Sequence, residues 1–234
     1  MPAGPALLVA NHNAALLMPD LFILGIALYE RFGLAGLPYG LGHSTGVSLP
    51  ILRTLFQPLG TVPGCQERGR RLLERGEKVL VCPGGELDSM RPFRKRHRVV
   101  FGARRGYVRL ALRAGVPIVP VVSAGAHETL IVLDDGQWLA RLLRLDRALN
   151  LKTWPLVLCL PWGLWLGVPP PHLPLRTRIR TEVLEPIRFE RQGAEAANDP
   201  VWVEACHRQV HGAMEAALQR LAAAERRTKG ERWR

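Results

Sequence analysis

Residues 6–20 read ALLVANHNAALLMPD, an apolar run followed by a loop that carries one histidine and one acid. The run Ala6–Ala10 predicts a buried strand. Pro19 and Asp20 precede an apolar periodic segment, which predicts a helix over 21–32. Residues 12–19 are therefore predicted to connect a strand to a helix, and ligands in open α/β sheets bind just outside such strand ends.

The histidine and the acid of this loop suggest a catalytic pair. An imidazole can act as a general base while a carboxylate orients it. On a continuous helix His12 and Asp20 would lie about 12 Å apart along the axis, so the pair requires a loop that folds back. The alternative is structural: Asp20 stabilises the helix N-terminus and His12 is a satisfied core residue.

Strands and helices alternate along the rest of the chain. Strands are predicted over 59–62, 78–82, 116–122 and, at a sheet edge, 176–183, and helices over 66–75, 104–114 and from Asp199-Pro200 onward. The alternation predicts a single α/β domain with a largely parallel mixed sheet flanked by helices. A further αβ element is predicted from 48–56. Residues 1–187 are predicted to form the domain, and residues 188–234 to add an amphipathic helix that packs on it and a frayed basic tail.

The cysteines and the N-terminal sequence predict the cellular compartment. The four cysteines are widely spaced and form no Cys-x-x-Cys pair, which favours a reduced compartment and no structural zinc. No basic region precedes the first apolar run, so no signal peptide is recognised and a cytoplasmic location is predicted.

The chain is strongly basic, with a formal net charge of +12. Between Ser89 and His127 there is no acid, and the basic residues of this block are Arg91, Arg94, Lys95, Arg96, Arg98, Arg104, Arg105, Arg109 and Arg113. Such a block predicts an acidic partner: nucleic acid, anionic lipid or a phosphorylated co-substrate. No nucleic-acid-binding motif accompanies it, so nucleic acid is not expected.

Residues 153–175 carry no formal charge and include three tryptophans. Prolines and glycines interrupt the segment too often for a helix that spans a membrane. Two interpretations stay open, an interfacial segment with tryptophans at headgroup level and a buried loop that covers the sheet.

The residues after the predicted strand 78–82 read PGGELDSMRPF, positions 83–93. Two adjacent glycines allow a close backbone approach, and their N–H groups can face an anion or a developing oxyanion. Alone, Pro-Gly-Gly is only a turn signal.

Four blocks together are more specific than any one of them. They are the Asn-His block with its Pro-Asp, LGTVPG at 59–64, VCPGG at 81–85 and VPIVPVV at 116–122. In this order the blocks resemble the lysophospholipid acyltransferase superfamily, most closely the bacterial phospholipid/glycerol acyltransferase branch related to diacylglycerol-acyltransferase-like and phytyl-ester-synthase-like proteins. The resemblance covers about residues 6–187.

The resemblance implies an O-acyltransferase at the inner face of the membrane. His12 would be the general base and Asp20 its partner, with acyl-CoA or acyl-ACP as co-substrate, a lipid alcohol as acceptor, anionic lipid as a surface partner, and neither metal nor cofactor. The residues implied to bind substrate are Asn11, Gly84, Gly85, Glu86, Asp88, Arg91 and Pro120.

Two differences from the family pattern affect these expectations. Seven residues separate His12 from Asp20, where well-known members have four. Pro-Gly-Gly-Glu replaces the Pro-Glu-Gly-Thr of members that take phosphate-bearing acceptors, which leaves neutral alcohols open. Either Glu86 or Asp88 can supply the acid of this block.

Two other function classes remain. The pattern Gly42-His43-Ser44-Thr45-Gly46 matches the nucleophile elbow of serine esterases, with Asp134 and either His127 or His172 as later partners. A non-catalytic protein that binds anionic lipid would explain the basic block alone. His207 and His211, four residues apart, could also bind a metal, although a helix-surface role is favoured.

Overall fold

The computed structural model describes residues 1–13, 18–42, 54, 56–148 and 151–231. Its larger sheet has six strands in the order β3-β2-β4-β1-β5-β9, and a smaller sheet has three in the order β6-β7-β8. The strands are β1 (Ala6–Ala10), β2 (Tyr39–Gly42), β3 (Thr61–Pro63), β4 (Lys78–Val81), β5 (Ile118–Ala124), β6 (Ile131–Asp134), β7 (Leu156–Cys159), β8 (Gly163–Leu166) and β9 (Arg180–Val183).

Helices cover both faces of the larger sheet. The α-helices that lie wholly within the described residues are α1 (Pro19–Phe32), α2 (Gln66–Glu74), α3 (Glu86–Ser89), α4 (Gly106–Ala114), α5 (Gln137–Leu142), α6 (Leu145–Ala148), α7 (Gly193–Asn198) and α8 (Pro200–Glu231). The first five strands of the sheet order are parallel and β9 is antiparallel to β5. The predicted fold class, a single α/β domain with a largely parallel mixed sheet, is confirmed.

The strand β1 lies at the centre of the sheet, as its apolar run requires. All five of its residues are buried, and it pairs with β4 on one side and β5 on the other. On one face Leu8 packs with Leu24 and Leu28 of α1. On the other face Leu7 belongs to a larger core to which α8 contributes Val210.

The long C-terminal helix begins where the sequence predicts. Asp199 caps it, because its Oδ1 accepts hydrogen bonds from the backbone N–H groups of Val201 and Trp202 at 3.0 and 3.1 Å. The helix continues to Glu231, within the tail expected to fray. It packs on α4, α7 and β5.

Three predictions of local structure need correction or fall outside the described residues. Residues 153–175 are neither a continuous loop nor a cover for the larger sheet, since they contain the hairpin β7–β8 of the smaller sheet. The helix predicted from 104 begins at Gly106. Most of 48–56 lies outside the part of the chain that the structure describes. No helix within that part has the length and apolarity needed to cross a membrane.

Candidate active site

Three loops meet where β4, β1 and β5 end. The register pairs Val9 of β1 with Val81 of β4, and Ala10 with Val121 of β5, so the loops that follow these strands emerge side by side. They carry residues 11–13, 82–91 and 125–127. In an open parallel sheet, ligands bind at this edge.

The main chain of His12 is held from both sides. Its N–H donates to Asp88 Oδ2 at 2.6 Å, and its carbonyl oxygen accepts from Arg91 Nη1 at 2.7 Å. Its buried Nδ1 has no hydrogen-bond partner among the described residues. The recorded hydrogen bonds that hold His12 are therefore made by its main chain, and Nδ1 is left without a partner.

Burial, followed by the positive charge of Arg91, lowers the pKa of His12 to about 4. The imidazole is therefore neutral at pH 7. A general base must begin in this form, since an imidazolium has no lone pair to accept a proton.

Asp88 organises the Pro-Gly-Gly block. It is fully buried, and besides His12 its carboxylate accepts from the backbone N–H of Val100 and from Arg91 Nη1, both at 3.0 Å. A Cβ on Gly84 would lie 2.3 Å from the Asp88 Cβ and 2.4 Å from the Val100 carbonyl oxygen. Glycine at this position is thus what lets Asp88 reach His12.

The two acids of the Pro-Gly-Gly block have different surroundings. Asp88 contacts the His12 main chain, whereas Glu86 is 3.9 Å from Arg104 Nη2 on the outer side of the loop. Arg104 Nη1 also donates to the carbonyl oxygens of Pro83 and Gly84 at 3.0 and 2.6 Å. Gly85 adopts φ +50°, and its N–H donates to the Cys82 carbonyl, so this amide is not free for an oxyanion.

Arg91, which the resemblance implies to bind substrate, is enclosed by the three loops. It is 1 % exposed, and besides His12 and Asp88 its guanidinium donates to Asn13 Oδ1 at 2.6 Å and to the Arg96 carbonyl at 3.0 Å. Its own carbonyl oxygen contacts His127 Nε2 at 2.8 Å. Since these groups enclose Arg91, it holds the loops together and does not meet an anion at the surface.

The contact expected between His12 and Asp20 is not made. The structure records no hydrogen bond or ion pair between these two described side chains; instead Asp20 Oδ2 accepts from Asn13 Nδ2 at 2.6 Å. Asp20 lies at the second residue of α1 and is fully buried, and its Oδ1 has no partner in the described part of the chain. Burial raises its pKa to about 6, although the hydrogen bond from Asn13 opposes this shift.

Asn13 is the residue that sequence reasoning missed. It joins Asp20 on one side to Arg91 on the other, so it couples α1 to the Pro-Gly-Gly block. The only signal for it in the sequence is its position beside His12, because an asparagine in a loop has many ordinary uses.

Asn11 and Pro120 lie in the interior. Asn11 Oδ1 accepts from the Ser123 N–H at 2.8 Å and its Nδ2 donates to the Ser123 carbonyl at 3.1 Å, which extends the pairing of β1 with β5 by a side chain. Pro120 is buried in the middle of β5 opposite Val9. Both side chains are enclosed in the sheet, and their contact with substrate stays a prediction.

The basic block is largely neutralised by acids from elsewhere in the chain. Five of its nine members, Arg91, Arg96, Arg98, Arg104 and Arg105, have a carboxylate within 4 Å. Two of these acids, Glu204 and Glu215, are supplied by α8. These five side chains therefore have negatively charged partners within the chain itself. In the described structure, Arg94, Lys95 and Arg109 are exposed and have no such partner.

A cleft of about 390 Å³ adjoins the outer side of the Pro-Gly-Gly block. Pro83 and Arg104 form the wall nearest the block, and Leu41, Tyr107 and Leu110 contribute apolar surface. Gly64, from the second sequence block, also lines it. Two of the four blocks therefore share one cavity.

The residues of the alternative functions have structural partners or lie outside the described residues. Ser44 lies outside the described residues, and of its pattern only Gly42, the last residue of β2, lies within them. Asp134 accepts the N–H of Gly136 in a turn at 2.8 Å, and His172 Nδ1 contacts the Pro170 carbonyl at 2.9 Å.

The histidine pair on α8 also has partners within the fold. His207 Nδ1 contacts the Tyr107 hydroxyl at 2.8 Å, and His211 Nε2 contacts the Val99 carbonyl at 3.0 Å. The described residues contain no group of three candidate metal ligands.

Comparisons with known proteins assign the family and the fold. The sequence profile of the acyltransferase family matches residues 1–124, which is more than half of the chain. The chain belongs to the acyltransferase family. The resemblance inferred from the four sequence blocks, to phospholipid/glycerol acyltransferases, is thereby confirmed.

Known proteins are similar to this chain to different extents. An uncharacterised protein of Mycobacterium tuberculosis is 30% identical over 223 residues, 95% of this chain and 59% of its own length. Human diacylglycerol O-acyltransferase 2 is 27% identical over 106 residues, 43% of this chain and 27% of its own. The chain thus spans about three fifths of the mycobacterial relative.

A solved structure supports the fold. The 1-acyl-sn-glycerophosphate acyltransferase PlsC of Thermotoga maritima superposes with a TM-score of 0.51 at 17% identity. The match covers 93% of this chain and 66% of that one. At this identity the likeness shows a shared fold.

Proposed function

We propose that the protein is an O-acyltransferase, peripheral to the membrane, that moves a fatty acyl group from a thioester to the hydroxyl of a lipid alcohol. One observation carries the proposal. At the meeting point of three strand ends, the backbone of His12 is clamped by Asp88 and Arg91 while its imidazole is neutral and free to accept a proton.

The proposed reaction needs no covalent acyl-enzyme. His12 takes the proton of the acceptor hydroxyl as the oxygen attacks the thioester carbonyl. The tetrahedral intermediate then collapses, the C–S bond breaks, and the thiolate receives the proton from the imidazolium. The ester and the free thiol are the products, and no metal or cofactor enters the balance.

The other buried groups act by position and charge in this proposal. Asp88 and Arg91 fix the main chain on which His12 is carried. Asp20 has one unpartnered oxygen, and its negative charge stabilises the imidazolium that forms during the reaction. Asn13 holds the Asp20 carboxylate in place.

The donor and the acceptor are assigned by chemistry. The cleft beside Pro83 is lined mostly by apolar side chains and offers room for the acyl chain of the donor. Exposed Arg94 and Lys95 supply charge for the phosphates of acyl-CoA or acyl-ACP. The partial similarity to human diacylglycerol O-acyltransferase 2 favours a neutral glycerolipid alcohol as acceptor. We further propose that the protein acts at the inner face of the membrane, because its net charge of +12 complements an anionic leaflet.

The test is acyl transfer from a radiolabelled long-chain acyl-CoA to lyso-lipids, diacylglycerol and long-chain alcohols. Wild type is compared with His12→Ala, with Ser44→Ala and with His172→Ala, a matched histidine control outside the site. Ester formation that depends on an acceptor and is lost only in His12→Ala supports the proposal. Thioester loss that needs Ser44 and no acceptor indicates an esterase, and lipid binding without turnover indicates a non-catalytic protein.

A further inference from the structure

The smaller sheet has one buried and one exposed apolar face. Val157 and Cys159 of β7 point inward and pack with Met90, Leu130 and Val132. The opposite face consists of leucines in cross-strand register, Leu158 with Leu164 and Leu156 with Leu166. Leu164 and Leu166 are 61% and 54% exposed.

The β7–β8 hairpin also exposes two tryptophans. Trp162 lies at the tip of the hairpin, whereas Trp165 pairs with Val157 and therefore lies on the opposite side of β8 from Leu164 and Leu166. Trp162 donates its indole N–H to the Pro171 carbonyl at 2.8 Å, and Trp165 donates to the Val168 carbonyl at 3.2 Å. Trp162 and Trp165 are 52% and 39% exposed. Because each N–H already has a partner, the rings can enter an apolar phase without losing a hydrogen bond to water.

Cations bracket this uncharged hairpin. From residue 137 to 181 the chain has one acid, Asp146, and seven basic residues: Arg141, Arg144, Arg147, Lys152, Arg176, Arg178 and Arg180. Lys152, Arg176 and Arg178 are exposed on the segments that enter and leave the hairpin. Apolar side chains bordered by cations complement the headgroups and acyl region of an anionic leaflet.

We propose that the outer face of the β6–β7–β8 sheet, with its hairpin tip, is the surface through which this protein docks on an anionic lipid bilayer. A second copy of the chain would bring the same cations to the same face, so pairing two such surfaces is opposed by charge repulsion. An anionic bilayer provides both negatively charged headgroups for these cations and an apolar interior for the leucines.

The docking surface lies next to the candidate active site. The inner face of the sheet packs on Met90, the residue before buried Arg91. Beyond the hairpin, the Leu175 N–H donates to the Thr129 carbonyl, two residues after His127. A protein docked in this way presents its site to lipids in the leaflet; this consequence rests on the proposed acyltransferase function.

The experiment measures binding of the full chain to sedimenting vesicles of phosphatidylcholine, with and without 30 mol % phosphatidylglycerol. Leu164→Asp removes apolar contact and adds an anion, so binding is expected to fall roughly tenfold or more. Val201→Asp makes the same change at an exposed position of α8 and should bind as wild type does. The double variant Lys152→Gln/Arg176→Gln should lose at least about fivefold on anionic vesicles.

Ile26→Asp tests the competing apolar surface on α1, where Ile26 is 60% exposed. The proposal is overturned if Leu164→Asp binds like wild type, if Ile26→Asp loses as much, or if wild type is a dimer that Leu164→Asp dissociates. A readout in the wild-type background guards against a folding defect: brominated lipids should quench tryptophan fluorescence, and Trp162→Phe should reduce this quenching.

Acyl transfer to a water-soluble short-chain monoacylglycerol separates the two proposals. Leu164→Asp should retain this activity while losing vesicle binding. If no preparation turns over any acceptor, the enzymatic proposal fails, and the vesicle measurements still decide the docking surface.

Discussion

Replacing Asp20 by asparagine should stabilise the protein while lowering its activity. Burial raises the pKa of Asp20 from 3.8 to about 6, and this shift corresponds to about 3 kcal/mol of unfavourable free energy for the buried charge at pH 7. Asparagine has nearly the same shape and its Oδ1 can still accept the hydrogen bond from Asn13. Its amide would then occupy the place of the unpartnered Oδ1, which costs about 1 kcal/mol or more. A net gain of about 1–2 kcal/mol is expected, or roughly 2–8 °C in Tm.

The pH dependence makes this prediction specific. Because the folded-state pKa of Asp20 is raised, protonated Asp20 imposes no charge penalty below pH 3.8, and the full penalty is present above about pH 6. The cost of the unpartnered amide does not depend on pH, so Asp20→Asn should be about 1–2 kcal/mol less stable than wild type near pH 3.5 and more stable above about pH 6. Thermal unfolding of both proteins, followed by circular dichroism from pH 3.5 to 8, should therefore show stability curves that cross between these limits. Lower stability of the variant at pH 7, or a difference independent of pH, would refute the reasoning.

The pH dependence of acyl transfer tests the catalytic role proposed for Asp20. If ionised Asp20 stabilises the imidazolium, kcat/KM of wild type should fall as the pH drops through about 6. Asp20→Asn should have a lower kcat/KM at pH 7, by roughly 10²- to 10⁴-fold, and should lose this acidic limb. An unchanged limb in the variant would assign the titration to another group.

Three further predictions concern the buried network and the α8 histidines. Gly84→Ala should lower the free energy of unfolding by about 3 kcal/mol or more and abolish acyl transfer, because its Cβ would overlap Asp88; chemical denaturation and the acyl-transfer assay measure the two effects. Arg91→Met should cost about 3–5 kcal/mol in urea unfolding, since it leaves Asp88 charged and buried, and a loss below 1 kcal/mol would contradict the role given to this pair. Zinc should leave Tm unchanged within 1–2 °C, because Tyr107 and the main chain already engage His207 and His211, and an increase that grows with zinc concentration would revive the metal site.

The sequence was sufficient for features that depend on local pattern. An uninterrupted apolar run predicts the central strand β1, and alternation of polar and apolar residues predicts β9 at the sheet edge. Asp199 marks the start of α8. The meeting of two sequence blocks at one edge also followed, because loops after neighbouring parallel strands emerge together. These inferences use only periodicity, capping and sheet geometry.

Contacts between distant residues were beyond sequence reasoning. Arg105 and Glu204 are 99 positions apart, so a basic block that looks uncompensated along the chain is paired in space. The burial of Arg91 likewise depends on three loops that converge, and nothing local distinguishes it from its exposed neighbours Arg94 and Lys95. Asn13 was missed for the same reason, because its partners belong to different loops.

The way His12 is held explains why its substitution isolates the chemistry. Asp88 and Arg91 bind its N–H and its carbonyl oxygen, groups that every residue except proline provides. His12→Ala therefore keeps both clamps and removes only an imidazole whose Nδ1 has no partner within the described structure. Its loss of turnover should come with a change in Tm of no more than a few degrees. Substitutions at Asp88 or Arg91 release the clamps themselves, so they should lower stability and activity together, and a His12→Ala protein that unfolds as readily as Arg91→Met would show that the imidazole supports the fold.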